Sequence, residues 1–283
     1  MSRIAYVGGQ YLPHRQAAVH IEDRGFQFAD GAYEVIAVTR GQLVDEERHL
    51  VRLRRSLSEL RIDMPMEERA LKFVIREVIR RNDVDNGIVY LQATRGVAPR
   101  DHAFPKRAKP TLVVTSKRTK GPDPRFGREG IKVITIPEIR WARCDIKSVA
   151  LVANVLGKQQ AREAGAYEAW FVDDDGKVTE GCSTNAWIVT AGGDVVTRQT
   201  DHGILNGITR AAIVDIISRE GLRLVERSFS VAEAKSAREA FLTSTTAELL
   251  PVVRIDDTIV ANGHPGSLSE KLRSAYLAHA AAA

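Results

Sequence analysis

The sequence predicts an α+β fold of two mixed lobes around a central cleft. Short β-rich runs bounded by turns stand beside longer stretches whose apolar residues recur every three or four positions. The two kinds of segment neither alternate strictly, as in a β-α-β protein, nor leave helices out. A breaker-rich stretch, Lys117-Arg118-Thr119-Lys120-Gly121-Pro122-Asp123-Pro124, divides the 283 residues. It sets an N-terminal α/β lobe at residues 1–118, a linker at 119–124 and a C-terminal lobe at 125–283. Clefts between such lobes commonly hold ligands.

The first thirty or so residues alternate short apolar stretches with turns and read as strands. Tyr33 to Thr39 is a β-rich run that Arg40-Gly41-Gln42 turns back into Leu43-Val44 as a hairpin. Leu50, Leu53, Leu57 and Leu60 form one helical stripe. Leu71, Val74, Ile75, Val78 and Ile79 form a second, ending near Asn82. Gly87 to Thr94 and Thr111 to Thr115 are strands. After the linker come a strand over Ile131 to Ile136 and a helix from Val149 to Arg162, with Val149, Val152, Ala153 and Leu156 on its apolar face. Strands follow at Ala169 to Val172, Asn185 to Val189 and Asp194 to Thr197. Helices are expected over Thr209 to Arg219, briefly near Ser230, and from Leu268 to His279, with Ala280 to Ala283 frayed.

Composition narrows the function classes. Apolar residues at 44% and charged residues at 27% suit a folded protein. No apolar run nears the roughly 20 residues that span a bilayer, and the start lacks a signal peptide's apolar core. Cys144 and Cys182 are the only cysteines, which points to a reducing cytoplasm and away from a disulfide framework. The seven histidines show no ligand spacing, so no metal site is expected. The net charge of +5 arises partly where Arg48 to Arg81 interleaves with glutamates, the pattern of solvated helix faces. Without aromatic stacking residues among the basic ones, nucleic acid is not an expected partner.

The residues that carry chemistry begin with Lys147, in Arg143-Cys144-Asp145-Ile146-Lys147-Ser148. Placed at the N-terminal edge of the Val149 to Arg162 helix, its amine would be biased toward the neutral form. Glu180 follows 33 residues later, in a Thr-Glu-Gly turn between strand-like runs. A free amine and an acid that keeps a ring nitrogen protonated are what pyridoxal-phosphate chemistry requires. Gly203-Ile204-Leu205-Asn206-Gly207-Ile208-Thr209-Arg210 is a glycine-bearing loop entering a helix, suited to a phosphate. Thr243-Ser244-Thr245-Thr246 adds hydroxyls and Arg52 a fixed charge. Taken singly, these segments also read as a helix cap, a polar loop and a solvated arginine. Thr94 to His102 is a strand end and a proline-kinked loop whose Arg100 and His102 could fork a carboxylate or simply face water.

Together these segments resemble the fold-type IV pyridoxal-phosphate enzymes, specifically the D-amino acid aminotransferases, from about Ile4 to Tyr276. Asp23 to Ile36 is similar to that family's opening signature. The blocks around Lys147, Glu180 and Gly207, and Ser244 to Glu248, follow in the family's order. The resemblance implies a smaller N-terminal lobe, a larger C-terminal lobe with a β-barrel-like core, and a site in the cleft between them. It implies pyridoxal 5'-phosphate held as a Schiff base on Lys147, with Glu180 at the ring nitrogen and Leu205 along the ring. Arg52, Gly207, Ile208, Thr209, Thr245 and Thr246 would surround the phosphate. Tyr33, Arg100 and His102 would trap the substrate α-carboxylate, the Arg100–His102 loop coming from the other subunit of a homodimer. The implied activity is ping-pong transamination between D-amino acids and 2-oxo acids. Branched-chain L-aminotransferases and aminodeoxychorismate lyases share the other blocks but lack the Arg-x-His pair, and a non-catalytic basic binding module is the reading from another class. Cys182 stands where a serine is common and Asn206 where an arginine is often seen.

Overall fold

The computed structural model describes residues 3–282, and the chain divides into two compact units. The first comprises the chain through Lys120 together with Ile146–Ala150, and the second comprises Gly121–Asp145 and Leu151–Ala282.

In the first unit, β1 (Ile4–Val7) and β2 (Gln10–Pro13) form a hairpin, and a short helix α1 (Arg24–Phe28) precedes β3 (Gly31–Thr39) and β4 (Gln42–Leu43). Helices α2 (Glu46–Glu59) and α3 (Glu68–Arg81) follow, then β5 (Gly87–Thr94) and β6 (Thr111–Arg118). The strands make one antiparallel sheet in the order β2-β1-β6-β5-β3-β4. Alternation along β3 buries Ala32, Glu34, Ile36 and Val38 on one face. The α2 stripe of Leu50, Leu53 and Leu57 and the α3 stripe of Leu71, Ile75 and Val78 complete that core. Glu34 is thus a carboxylate inserted into an apolar register.

In the second unit, α4 (Pro124–Glu129) leads to β7 (Ile131–Pro137), α5 (Val152–Glu163), β8 (Glu168–Val172), β9 (Val178–Gly181), β10 (Asn185–Val189) and β11 (Val195–Thr197). Then come α6 (Ile208–Arg219), β12 (Leu224–Glu226), α7 (Val231–Lys235), β13 (Glu239–Ser244), β14 (Glu248–Ile255), β15 (Thr258–Ile259) and α8 (Ser267–Ala281). A mixed nine-stranded sheet runs β12-β11-β10-β13-β14-β7-β8-β9, with β15 on β14. Its last strand, β9, also lies beside β10, so the sheet curls back on itself as a half-barrel. Trp170, Phe229 and Leu242 fill one side, while Trp187, Phe241, Ile213 and Leu272 pack against α6 and α8.

Five expectations are corrected. Lys147 does not stand at a helix start, because 146–150 is an irregular segment joined to β3 by one bridge, Ala32 to Ser148, and α5 begins only at Val152. The reason is backbone pairing: Tyr33 N–H donates to the Lys147 carbonyl at 3.0 Å and Val149 N–H to that of Gly31 at 3.0 Å. The lysine therefore packs with the first unit, not with the C-terminal lobe to which residues 125–283 were assigned. The expected apolar face of α5 is not buried: Val152, Val155 and Leu156 are exposed, and the helix packs through Gly157 and Ala161. Glu180 lies on a fully buried strand, with the turn following it. Helix α8 continues through Ala281 where fraying was expected; Ala283 lies outside the described residues.

Candidate active site

On the first unit, strand β3 organises the chemistry by sending alternate side chains to opposite faces. Tyr33 faces one way and is half-buried, stacked on Tyr90 with ring centroids 5.7 Å apart. Lys147 Nζ sits 4.3 Å from the centre of the Tyr33 ring. A third backbone bond, from Lys147 N–H to the Ser56 hydroxyl at 3.2 Å, ties this residue to α2. The amine therefore hangs from a backbone fixed on both a strand and a helix.

The other face of β3 carries Glu34, fully buried, and α2 brings His49 and Arg52 to it. Arg52 donates through Nε to Glu34 Oε1 at 2.7 Å and through Nη2 to Oε2 at 2.8 Å; His49 Nδ1 lies 2.7 Å from Oε2. Burial drives the Glu34 carboxyl upward, but the Arg52 charge and the hydrogen bonds outweigh it and hold the group at about 2. Burial also lowers His49, against the opposing pull of Glu34, so the neutral imidazole is favoured and Nδ1–H is the donor. Arg52 is accordingly a buried, paired cation rather than the solvated arginine that its position off the leucine stripe allowed. The signal that could have found its partner was the charge at Glu34 within the apolar alternation of β3.

Arg100 and His102 lie in the exposed loop after β5. Both approach Phe28 of α1: the Arg100 guanidinium is 5.1 Å from the ring centre, and the His102 ring centroid lies 5.3 Å away.

On the second unit, Glu180 emerges from β9 into a set of donors. Arg140 Nη1 bonds Oε1 at 2.5 Å, Asn185 Nδ2 bonds Oε2 at 3.0 Å, and the Leu205 N–H reaches both oxygens at 3.1–3.2 Å. Arg140 is itself buried and also paired with Glu138. Burial alone would lower its pKa, but the Glu138 hydrogen bond and the Glu180 charge raise it, so its charge is permanent. Asn185 links this carboxylate to the Leu205 carbonyl at 2.9 Å. Neither Arg140 nor Asn185 was singled out from the sequence, because each lies on a different strand or loop from the residue it serves.

Gly207 caps α6 with no side-chain hydrogen bond, leaving the first-turn N–H groups of Ile208 and Thr209 to be met from outside the helix. Its φ of −64° suits any residue, so space alone demands glycine: a Cβ there would meet Asn185 Oδ1 at 2.1 Å. The Thr209 hydroxyl lies 3.4 Å from that of Tyr276. Thr245 and Thr246 occupy the turn between β13 and β14. The structure thus gathers Lys147, Tyr33 and Arg52 about β3, Arg100 and His102 about Phe28, and Glu180, Leu205 and Gly207 about Asn185. Among the described residues, no group of three or more His, Cys, Asp or Glu side chains is placed to hold a metal ion, and no helix is long and apolar enough to cross a membrane.

The Lys147 amine is thus carried on a backbone held at Tyr33, Gly31 and Ser56, over the face of the Tyr33 ring. Comparison with known proteins gives the family. Residues 31–255 match Amino-transferase class IV, and the chain belongs to that family. It is 39% identical over 267 residues to a D-alanine aminotransferase of Bacillus licheniformis, covering 94% of this chain and 93% of that one. Among solved structures, the branched-chain amino acid aminotransferase of Escherichia coli superposes with a TM-score of 0.91 at 20% identity, over 98% of this chain and 94% of that one. The branched-chain amino acid aminotransferase of Thermobaculum terrenum, in its PLP-bound holo form, gives 0.86 at 22% identity, over 99% and 94%. These structures carry the fold.

Proposed function

We propose that the protein is a pyridoxal-phosphate-dependent aminotransferase that moves the amino group of D-amino acids to 2-oxo acids, D-alanine and 2-oxoglutarate being one such pair. The observation that carries this reading is the similarity to a D-alanine aminotransferase over nearly the whole of both chains. The branched-chain enzymes share the fold at 20 and 22% identity, which leaves the hand of the substrate to the Arg100–His102 loop.

The residues present fit the cofactor. Its phosphate suits the uncapped entrance of α6, with Gly207, Ile208, Thr209, Thr245 and Thr246 as donors and Arg52 as a cation. Its ring nitrogen suits Glu180, a carboxylate paired with the buried Arg140 side chain, with Leu205 beside the ring. When bound, the cofactor would supply an electron sink that acidifies the substrate Cα–H. Lys147 Nζ would take the proton from Cα and pass it on to the cofactor, and in the return half-reaction it would carry a proton back to Cα of the product amino acid. Glu180 holds a proton on the ring nitrogen throughout. Arg100, His102 and the Tyr33 hydroxyl grip the α-carboxylate and so decide which hydrogen faces Nζ. The three backbone bonds at Lys147 and Ser148's neighbour Val149 keep that geometry from drifting.

A homodimer, in which the Arg100–His102 loop completes the neighbouring site, belongs to the same proposal; exposed Val152, Val155 and Leu156 on α5 support assembly. Both cysteines are free thiols, which supports a reducing cytoplasm. The test is borohydride reduction of the holoenzyme followed by peptide mapping, with a panel of D and L donors. The cofactor label should fall on Lys147, D-alanine should outpace L-leucine, and Lys147→Ala should abolish turnover. A label on another residue, or preference for L-leucine, refutes the reading.

A further inference from the structure

The segment Asp23 to Asp30 contributes none of the residues given a role above, yet it is bound to the loop that carries Arg100 and His102. Arg24 is buried although charged. Its Nη1 donates to the Asp101 carbonyl at 2.5 Å and its Nη2 reaches that of His102 at 3.5 Å. These are the backbone groups lying between and at the two candidate carboxylate-binding side chains. Asp30 fixes the guanidinium from behind, accepting from Arg24 Nε at 2.8 Å.

Asp30 is shared. Arg95, also buried, donates to it through Nε at 2.7 Å and Nη2 at 3.0 Å, and to the Leu60 and Arg61 carbonyls past the end of α2. The Arg95 guanidinium lies 3.7 Å from the ring centre of Phe104, two residues beyond His102. The loop is therefore held at Asp101–His102 by one arginine and at Phe104 by another, with one carboxylate joining them. Phe28 supplies a common platform: Arg24 lies 4.7 Å from its ring centre, beside the approaches of Arg100 and His102. Charge-assisted donors reaching from a buried, mutually paired cluster restrict a loop far more than its own exposed residues could.

We propose that Arg24, Asp30 and Phe28 are positioning residues for substrate selection: they hold the Arg100–His102 loop in the one conformation that grips an α-carboxylate. Their assigned part is to act through the loop. The inference rests on the function proposed above, since it assigns to the loop the carboxylate of donor and acceptor alike.

The experiment combines kinetics with hydrogen exchange on the holoenzyme. Arg24→Met keeps length and removes the two carbonyl donors. It should raise KM for both D-alanine and 2-oxoglutarate about tenfold or more, change kcat by less than about threefold, and lower the D-to-L preference. Exchange at residues 101–104 should speed up while β3 and β5 stay protected. Arg24→Lys, which restores one donor, should recover part of the KM effect. Arg100→Ala separates the two claims: if it raises KM and Arg24→Met does not, the clamp is wrong and the carboxylate reading stands. If Arg100→Ala leaves both KM values unchanged while Arg24→Met still loosens residues 101–104, the carboxylate reading fails and the clamp stands only as a structural device, which overturns its proposed role. Should Arg24→Met fail to fold, Phe28→Leu removes only the ring platform, and an unchanged KM in that variant overturns the proposal.

Discussion

Replacing Glu34 by glutamine isolates the buried ion cluster of the first unit, and its effect follows from the structure. The wild-type carboxylate is held at about 2, against an ordinary value of 4.5. One pKa unit corresponds to about 1.4 kcal/mol, so the charged form contributes on the order of 3 kcal/mol to the folded state at neutral pH. Because the folded value is depressed, that contribution is present above 4.5 and fades as the pH falls from there toward 2. Linkage arithmetic removes about 2 kcal/mol of it between pH 7 and pH 3. Glutamine keeps the shape but removes the carboxylate charge that Arg52 and His49 pair with, and breaking a buried ion pair by removing one partner typically costs about 3–5 kcal/mol. Urea unfolding at pH 7 should therefore show the variant about 3 kcal/mol less stable, with its stability nearly independent of pH between 4.5 and 3 as far as this cluster is concerned. The probe should be far-UV circular dichroism, because Trp141, Trp170 and Trp187 all belong to the second unit and would report on the wrong part of the chain. A variant within 1 kcal/mol of wild type at pH 7 would show that the cluster does not carry the charge state assigned to it.

Three further outcomes are expected. Glu180→Gln retains the hydrogen bonds of Asn185 and Leu205 in part but loses the charge held by Arg140; a charge-assisted bond is worth about 1.5–3 kcal/mol, so kcat should fall roughly 10- to 100-fold, read in single-turnover assays with D-alanine. Gly207→Ala drives a methyl into Asn185 at the entrance of α6, so cofactor affinity measured by absorbance titration should drop about tenfold or more, with the melting temperature of the cofactor-free protein moving much less. Burial pushes both the Cys144 and Cys182 thiols up to about 12, leaving a thiolate fraction at pH 8 on the order of 10⁻⁴; Ellman titration of the native protein should therefore be slow, and rapid release of two equivalents should need denaturant.

The elements that the sequence located well are those whose pattern is set by their own burial. Strand β5 runs from Gly87 to Thr94 and α3 ends with Asn82 as its cap, both where composition put them. Helix α6 begins at Ile208, straight after the glycine-bearing loop. The failures have one cause: tertiary hydrogen bonds override local pattern. Residues 146–150 carry neither a strand nor a helix signature, and they are held irregularly against β3 because its edge at Gly31 and Tyr33 offers donors and acceptors to a passing chain. Helix α5 was expected to bury its aliphatic stripe, but a close approach of Gly157 to Cys182, Ile136 and Phe171 decides the packed face instead. Space for a helix can be set by one missing side chain more firmly than by four apolar ones.

For the site, the residues that bear the proposed chemistry were legible and the residues that support them were not. Lys147, Glu180 and Arg52 stand out because amine, acid and guanidinium are few in type and sit in recognisable surroundings. Arg140, Asn185, His49 and Arg24 are individually unremarkable polar residues, and each acquires meaning only through a partner far along the chain: 40 residues separate Arg140 from Glu180, and 77 separate Arg24 from Asp101. This asymmetry has a physical origin. A reacting group is constrained by its own chemistry, which a single position displays, whereas a supporting group is constrained by the place it must reach, which many residue types could satisfy from many points in the sequence. Glu34 is the instructive exception. It is a supporting residue, yet its charge interrupts the buried face of β3 between Ala32 and Ile36, and a buried charge at a strand position is intelligible only if a cation such as Arg52 waits opposite.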